Sequence, residues 1–108
     1  MMKGKVNLGL FGLGHLGKIH LKCLLEVESI NLVGCHDPAA PAARQICEES
    51  GVRFYEDPEE LIRDSQAIDV VTPTITHFDI ASRAISQGRH CFIVKDGIRN
   101  PRFIEANR

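Results

Sequence analysis

A glycine loop between a strand-like and a helix-like segment narrows the possible folds of this chain more than any other feature. Residues 5–11 form a short apolar run of strand-forming side chains. After the loop, apolar residues recur at spacings of three and four, which is typical of one helix face. The loop itself fits the G-x-G-x-x-G pattern with Gly12, Leu13, Gly14, His15, Leu16 and Gly17. A strand, a tight turn and a helix are therefore predicted in direct succession.

The rest of the chain continues to alternate between the two kinds of segment. Short apolar runs predict further strands at 29–36, 52–55, 68–72 and 90–94. Helix patterns lie between these runs, near 41–50, after Asp57-Pro58 and from Thr76 to Gly88. Because the connections are short, the strands should be parallel and covered by helices on both faces. The predicted fold class is α/β, a doubly wound parallel sheet of about five strands, the Rossmann type.

Composition and charge exclude several other classes. The chain has 108 residues, of which 44% are apolar and 25% charged, as in ordinary globular domains. Its 13 basic and 14 acidic residues are scattered, which removes the main electrostatic argument for binding nucleic acid. The apolar runs are far shorter than the roughly 20 residues needed to cross a bilayer. We expect a cytoplasmic protein with no nucleic-acid partner and no membrane association.

The cysteines and histidines do not follow the spacing of a metal site. The four cysteines, Cys23, Cys35, Cys47 and Cys91, include no C-x-x-C pair. The five histidines include no H-x-x-x-H pair, and His20 falls on the apolar face of its predicted helix. We expect reduced, mostly buried thiols and no bound metal.

Each glycine of the loop has a physical task in binding a pyrophosphate. Gly12 permits a tight turn, Gly14 permits close approach of the backbone to the phosphates, and Gly17 permits close packing of the helix on the strand. The following helix directs its free N–H groups and the positive end of its dipole toward the loop. Residues 12–17 are therefore predicted to bind a nicotinamide dinucleotide.

Asp37 supplies the acidic residue that such a site requires. It lies 20 residues after Gly17, at the predicted end of the second strand. There its carboxylate can accept hydrogen bonds from the ribose hydroxyls of the adenosine half. A 2′-phosphate would meet this negative charge, and residues 38–43 contain no lysine or arginine. NAD is therefore predicted, with NADP less favoured. The alternative of a simple strand-ending turn at Asp37 stays open.

Five stretches of the sequence resemble the glucose-fructose oxidoreductase, inositol dehydrogenase and MocA (Gfo/Idh/MocA) family. They are residues 9–17 with His20, 33–38, 51–57, 69–77 and 88–95. The last two stretches carry the motifs that are specific to the family. The resemblance implies a dinucleotide-binding Rossmann domain over residues 1–95, and it leaves residues 96–108 as an unassigned tail.

The same resemblance implies further site residues. Those expected beside the cofactor are Thr72, Pro73, Thr74 and His77. Lys95 stands where the family's Glu-Lys-Pro motif has its lysine, which implies a catalytic position near the nicotinamide and the substrate. Val94 and Asp96 replace the glutamate and the proline, and Asp96 could pair with Lys95 and hold its charge. Two alternatives stay open: His77 as a helix cap and Lys95 as a solvated residue at a strand end.

Two classes of function follow from these observations. In the first, the chain is the cofactor-binding domain of an oxidoreductase that transfers hydride between a nicotinamide cofactor and a sugar, polyol or related hydroxyl substrate. In the second, it is a stand-alone nucleotide-binding or regulatory module, or an inactive truncated relative. The family's second, substrate-binding domain is absent from these 108 residues. We therefore expect the isolated chain to be inactive, and its oligomeric state stays open.

Overall fold

The fold is described from a computed structural model that covers residues 5–71 and 74–93, without the side chains of residues 74–78 and 93. Strands and helices alternate along most of this length. They are β1 (Val6–Phe11), α1 (His15–Leu25), β2 (Ile30–His36), α2 (Ala40–Ser50), α3 (Pro58–Asp64), β3 (Ala67–Val70), α4 (Thr74–Ser86) and β4 (His90–Ile93).

The four strands form one parallel sheet in the order β2-β1-β3-β4. From β1 the chain first moves to one side of the sheet to form β2, and then returns past β1 to build β3 and β4 on the other side. This reversal of direction leaves a crevice at the carboxyl end of β1, which is where open α/β sheets bind their ligands. The prediction of a doubly wound parallel sheet is confirmed.

The described part of the structure has four strands rather than about five, because the segment 52–55 does not form the predicted strand. Phe54 makes only an isolated parallel bridge with Cys35. Two backbone hydrogen bonds hold this segment to β2: the Cys35 N–H donates to Arg53, and the Tyr55 N–H donates to Cys35. The pairing stops there because Asp57 caps α3 two residues later, so the chain turns away from the sheet.

Two helix boundaries lie where the sequence predicts them, and a third lies two residues earlier. The Asp57 side chain accepts a hydrogen bond from the Glu59 N–H at 3.0 Å, which confirms it as the cap of α3. Gly51 ends α2 with φ at +71°, the left-handed conformation that favours glycine. α4 begins at Thr74, two residues before the predicted start.

Two hydrophobic clusters cover the two faces of the sheet. Successive residues of β1 point to opposite faces, so Leu10 belongs to one cluster and Phe11 to the other. α1 and α2 pack against the first cluster, and α3 and α4 against the second. Cys35, Cys47 and Cys91 are buried free thiols within these clusters, whereas Cys23 is exposed. In the described ranges, no helix is long and apolar enough to cross a membrane.

Candidate functional site

The glycine loop lies at the carboxyl end of β1, where the strand order reverses. Gly12 has φ at +106°, a conformation that residues with a side chain rarely adopt. Its N–H donates to the carbonyl of His36 at 2.9 Å, which holds the turn against the end of β2. The tight turn predicted at Gly12 is therefore present.

Gly17 and Gly14 differ in what surrounds them. A Cβ added to Gly17 would overlap the carbonyl oxygen of Gly12, because the first turn of α1 lies directly on the loop. A Cβ added to Gly14 would meet no atom within 4 Å. Gly17 thus permits close packing of the helix on the turn, and Gly14 faces open space at the start of α1.

Within the part of the chain that the structure describes, no side chain caps the start of α1, where backbone N–H donors meet this space. Gly14 is the N-cap residue and has no side chain to accept a hydrogen bond from the first turn, and no acidic residue occurs in that turn. The first N–H groups of a helix lack partners within the helix, and they carry the positive end of its dipole. A negatively charged group such as a phosphate fits this position.

Asp37 connects the glycine loop to the turn after β2. One carboxylate oxygen accepts a hydrogen bond from the Leu13 N–H at 2.6 Å, and the other accepts from the Ala39 N–H at 2.8 Å. The contact with the Ala39 N–H stabilises the turn that ends β2, which is the alternative role for Asp37 considered in the sequence analysis. The first contact joins the glycine loop to the acidic residue, although Leu13 and Asp37 are 24 positions apart in the sequence.

A cavity of about 370 Å³ opens beside Asp37. Its lining residues are His36, Asp37, Pro38, Ala40, Phe54 and Glu56. The rings of His36 and Phe54 stack with centroids 6.3 Å apart and an interplanar angle of 17°. The His36 Nδ1 lies 2.8 Å from the Tyr55 carbonyl, and because a carbonyl only accepts, the Nδ1–H donates this hydrogen bond. The sequence analysis missed His36, Phe54 and Glu56 as site residues.

Five further residues are expected at the site from the family resemblance. Thr72, Pro73 and Lys95 lie outside the described residues. Thr74 and His77 belong to α4, but their side chains also lie outside the description. Their roles therefore remain predictions from the family resemblance. No group of three or more potential metal ligands occurs within residues 5–71 and the described part of 74–93.

A buried carboxylate on β3 pairs with the helix that follows the glycine loop. The His20 Nδ1 lies 2.6 Å from the Asp69 Oδ2, and the Asp69 side chain is only 8% exposed. The hydrogen bond that His20 donates to the Asp69 carboxylate raises the pKa of His20 above its usual 6.5, although burial of the ring opposes the shift. The pair fixes α1 against the centre of the sheet and satisfies a histidine that the sequence placed on an apolar helix face.

This pair predicts a specific dependence of stability on pH. The raised pKa of His20 means that its charge stabilises the fold fully below pH 6.5, and that this contribution is lost as the pH rises through the folded-state pKa. The free energy of unfolding, measured with urea, should therefore fall as the pH rises from about 5.5 to 9. The fall should be smaller in Asp69→Asn than in the wild type. His20→Ala should cost about 2 kcal/mol, because it leaves a buried carboxylate without its donor. An identical decline in the wild type and Asp69→Asn would contradict the assignment.

The fold and the loop together define a class of protein. A parallel sheet with a glycine turn after β1, an uncapped helix start and an acidic residue after β2 is a dinucleotide-binding Rossmann domain. The chain belongs to the Gfo/Idh/MocA oxidoreductase family, whose NAD-binding Rossmann fold matches residues 6–95. This match confirms the family resemblance and the NAD cofactor predicted from the sequence.

Individual relatives agree with this assignment. UDP-N-acetylglucosamine 3-dehydrogenase from Acidithiobacillus ferrooxidans is 34% identical over 87 residues, which cover 81% of this chain and 27% of that protein. The scyllo-inositol 2-dehydrogenase (NAD(+)) of Bacillus subtilis is 37% identical over 98 residues, covering 87% and 29%. Among solved structures, apo scyllo-inositol dehydrogenase from Lactobacillus casei has a TM-score of 0.79 at 26% identity, covering 99% of this chain and 33% of that one. The chain thus spans less than a third of the length of the curated relatives it matches.

Proposed function

We propose that this chain is the cofactor-binding part of an oxidoreductase that transfers hydride between NAD and a sugar, a polyol or a related hydroxyl compound. The observation that carries the proposal is the contact between Asp37 and the Leu13 N–H, because it places the acidic residue and the glycine loop on one surface. The names of the two curated relatives, a nucleotide-sugar dehydrogenase and an inositol dehydrogenase, support this substrate class.

Two regions of the proposed site would bind different parts of the cofactor. The pyrophosphate would lie against Gly14 and the first N–H groups of α1, where the backbone leaves open space. The adenosine ribose would donate its hydroxyl hydrogen bonds to the Asp37 carboxylate, beside the cavity lined by Phe54 and Glu56. NAD, when bound, supplies the hydride acceptor for the reaction. Asp37 and the loop would bind and orient it.

Five further residues complete the proposal through the family resemblance alone. The cofactor-contacting group comprises Thr72, Pro73, Thr74 and His77. Lys95 would lie near the nicotinamide and the substrate as a catalytic residue. We assign the binding domain to residues 1–95 and leave 96–108 as a tail. The free cysteines support a reducing compartment, the cytoplasm.

Calorimetric titration with each cofactor tests the proposed role of Asp37. We expect NAD to bind about tenfold more tightly than NADP, because a 2′-phosphate would face the Asp37 carboxylate. Asp37→Ala should narrow this difference. Since that change also removes the acceptor for the N–H groups of Leu13 and Ala39, Asp37→Asn is the closer variant: its single amide oxygen can still accept one of these two hydrogen bonds, but its charge is gone. Equal or tighter binding of NADP by the wild type would contradict the proposal.

A further inference from the structure

An ion pair stands beside the cavity that borders Asp37. The guanidinium of Arg44 on α2 pairs with the carboxylate of Glu56, which lines the cavity together with Asp37. The same guanidinium lies over the ring of Phe54, with its central carbon 5.1 Å from the ring centroid. Arg44 is therefore held from two directions, by a carboxylate and by an aromatic face.

Arg44 also lies on the helix that follows Asp37 in the chain. It is the first basic residue after Asp37 in the sequence, and it is the one basic residue of α2. It lies four residues after Ala40, so both residues share one face of the helix, and Ala40 lines the cavity. The helix face that carries Arg44 thus includes a residue that lines the cavity, and the guanidinium of Arg44 pairs with Glu56.

The pairing of Arg44 with Glu56 affects the binding of a dinucleotide that carries a 2′-phosphate. Guanidinium groups bind phosphate through paired, charge-assisted hydrogen bonds, and sites for 2′-phosphorylated dinucleotides use an arginine in this way. Here the arginine is paired with a carboxylate that lines the cavity bordered by Asp37, so its charge is compensated and its donors are engaged. This pairing disfavours a 2′-phosphate and does not affect an unphosphorylated ribose to the same extent.

We propose that Glu56, by pairing with Arg44, is a second determinant of the preference for NAD over NADP. The proposal rests on the placement of the adenosine ribose beside Asp37. The side chains of Arg44 and Glu56 are 51% and 70% exposed, and ion pairs in such positions are weak. Glu56 therefore has a smaller effect than Asp37, whose carboxylate would contact the ribose directly.

Glu56→Gln tests the proposal, with calorimetric dissociation constants measured for both NAD and NADP. Releasing Arg44 from this pair should shift the ratio of the two constants about fivefold toward NADP. Glu49→Gln is the matched control: it removes the same charge from an exposed position on α2 whose side chain accepts a hydrogen bond from Gln45. In Glu49→Gln the ratio of the NAD and NADP dissociation constants should change by less than about twofold, because salt screens the interaction between distant exposed charges.

The double variant Arg44→Ala/Glu56→Gln separates release of the arginine from a general loss of charge. If Arg44 is the group that gains the phosphate, the double variant should lie within about twofold of Arg44→Ala alone. The proposal would be overturned if Glu56→Gln and Glu49→Gln gave the same ratio of NAD and NADP dissociation constants. It would also be overturned if Glu56→Gln shifted this ratio by the full amount in a protein that already carries Arg44→Ala. Wild-type protein that binds neither dinucleotide would contradict the proposed site and this inference together. Normal NAD binding with an unchanged ratio in Glu56→Gln would overturn this inference alone.

Discussion

Gly14→Val should abolish NAD binding and leave the fold intact. The backbone of Gly14 has φ at −72°, which any residue can adopt, and a Cβ there meets no atom within 4 Å. Valine at the N-cap of α1 should therefore cost no more than about 1 kcal/mol of stability. Its side chain would fill the space proposed for the pyrophosphate, so the affinity for NAD should fall by at least about a hundredfold.

Gly17→Ala is the informative control for this experiment, because it adds a smaller side chain to the same loop. Its Cβ would overlap the carbonyl oxygen of Gly12, and the backbone at this contact has no room to yield. We expect a loss of about 3 kcal/mol in the free energy of unfolding, and binding lost as a consequence. Circular dichroism, urea unfolding and calorimetry on the same preparations distinguish the two variants. Unchanged NAD affinity in Gly14→Val would show that the phosphates bind elsewhere.

A polypeptide of these 108 residues should bind NAD without turning over substrate at a rate typical of its family. Hydride transfer requires the substrate carbon close to the nicotinamide, and such orientation can supply ~7–11 kcal/mol of the barrier. This chain matches less than a third of the length of the dehydrogenases it resembles, and the matched part is the Rossmann fold. The contacts proposed for phosphate and ribose come from residues 12–17 and Asp37, so we expect binding without the rest of those proteins.

The test is a panel of polyols, aldoses and nucleotide sugars with NAD, followed at the absorbance band of the reduced nicotinamide. Lys95→Ala serves as the control for any reduction observed. Robust reduction that depends on Lys95 would contradict the prediction, and it would show that no further domain is needed for catalysis. If the coding sequence proves longer, activity of the longer protein would favour the oxidoreductase over a stand-alone nucleotide-binding module.

Much of the fold could be predicted because its signals are local. The turn at Gly12, the cap at Asp57 and the helix end at Gly51 each depend on what one residue type can do at one backbone position. The alternation of apolar patterns then required parallel strands. The segment at 52–55 was the exception: its composition is that of a strand, but its pairing depends on how far it runs beside β2, which composition does not report.

The contacts that complete the candidate site could not be predicted in this way, since each joins distant parts of the chain. The sequence places Asp37 at a strand end, but only the packed sheet brings its carboxylate to the Leu13 N–H. Likewise, the order of the strands decides that Asp69 meets His20, and the position of the 52–55 segment decides that Glu56 meets Arg44. Residue type determines which conformations and charges are available at each position. Which side chains share a cavity depends on the crossovers between strands, because these bring segments far apart in sequence to the same edge of the sheet.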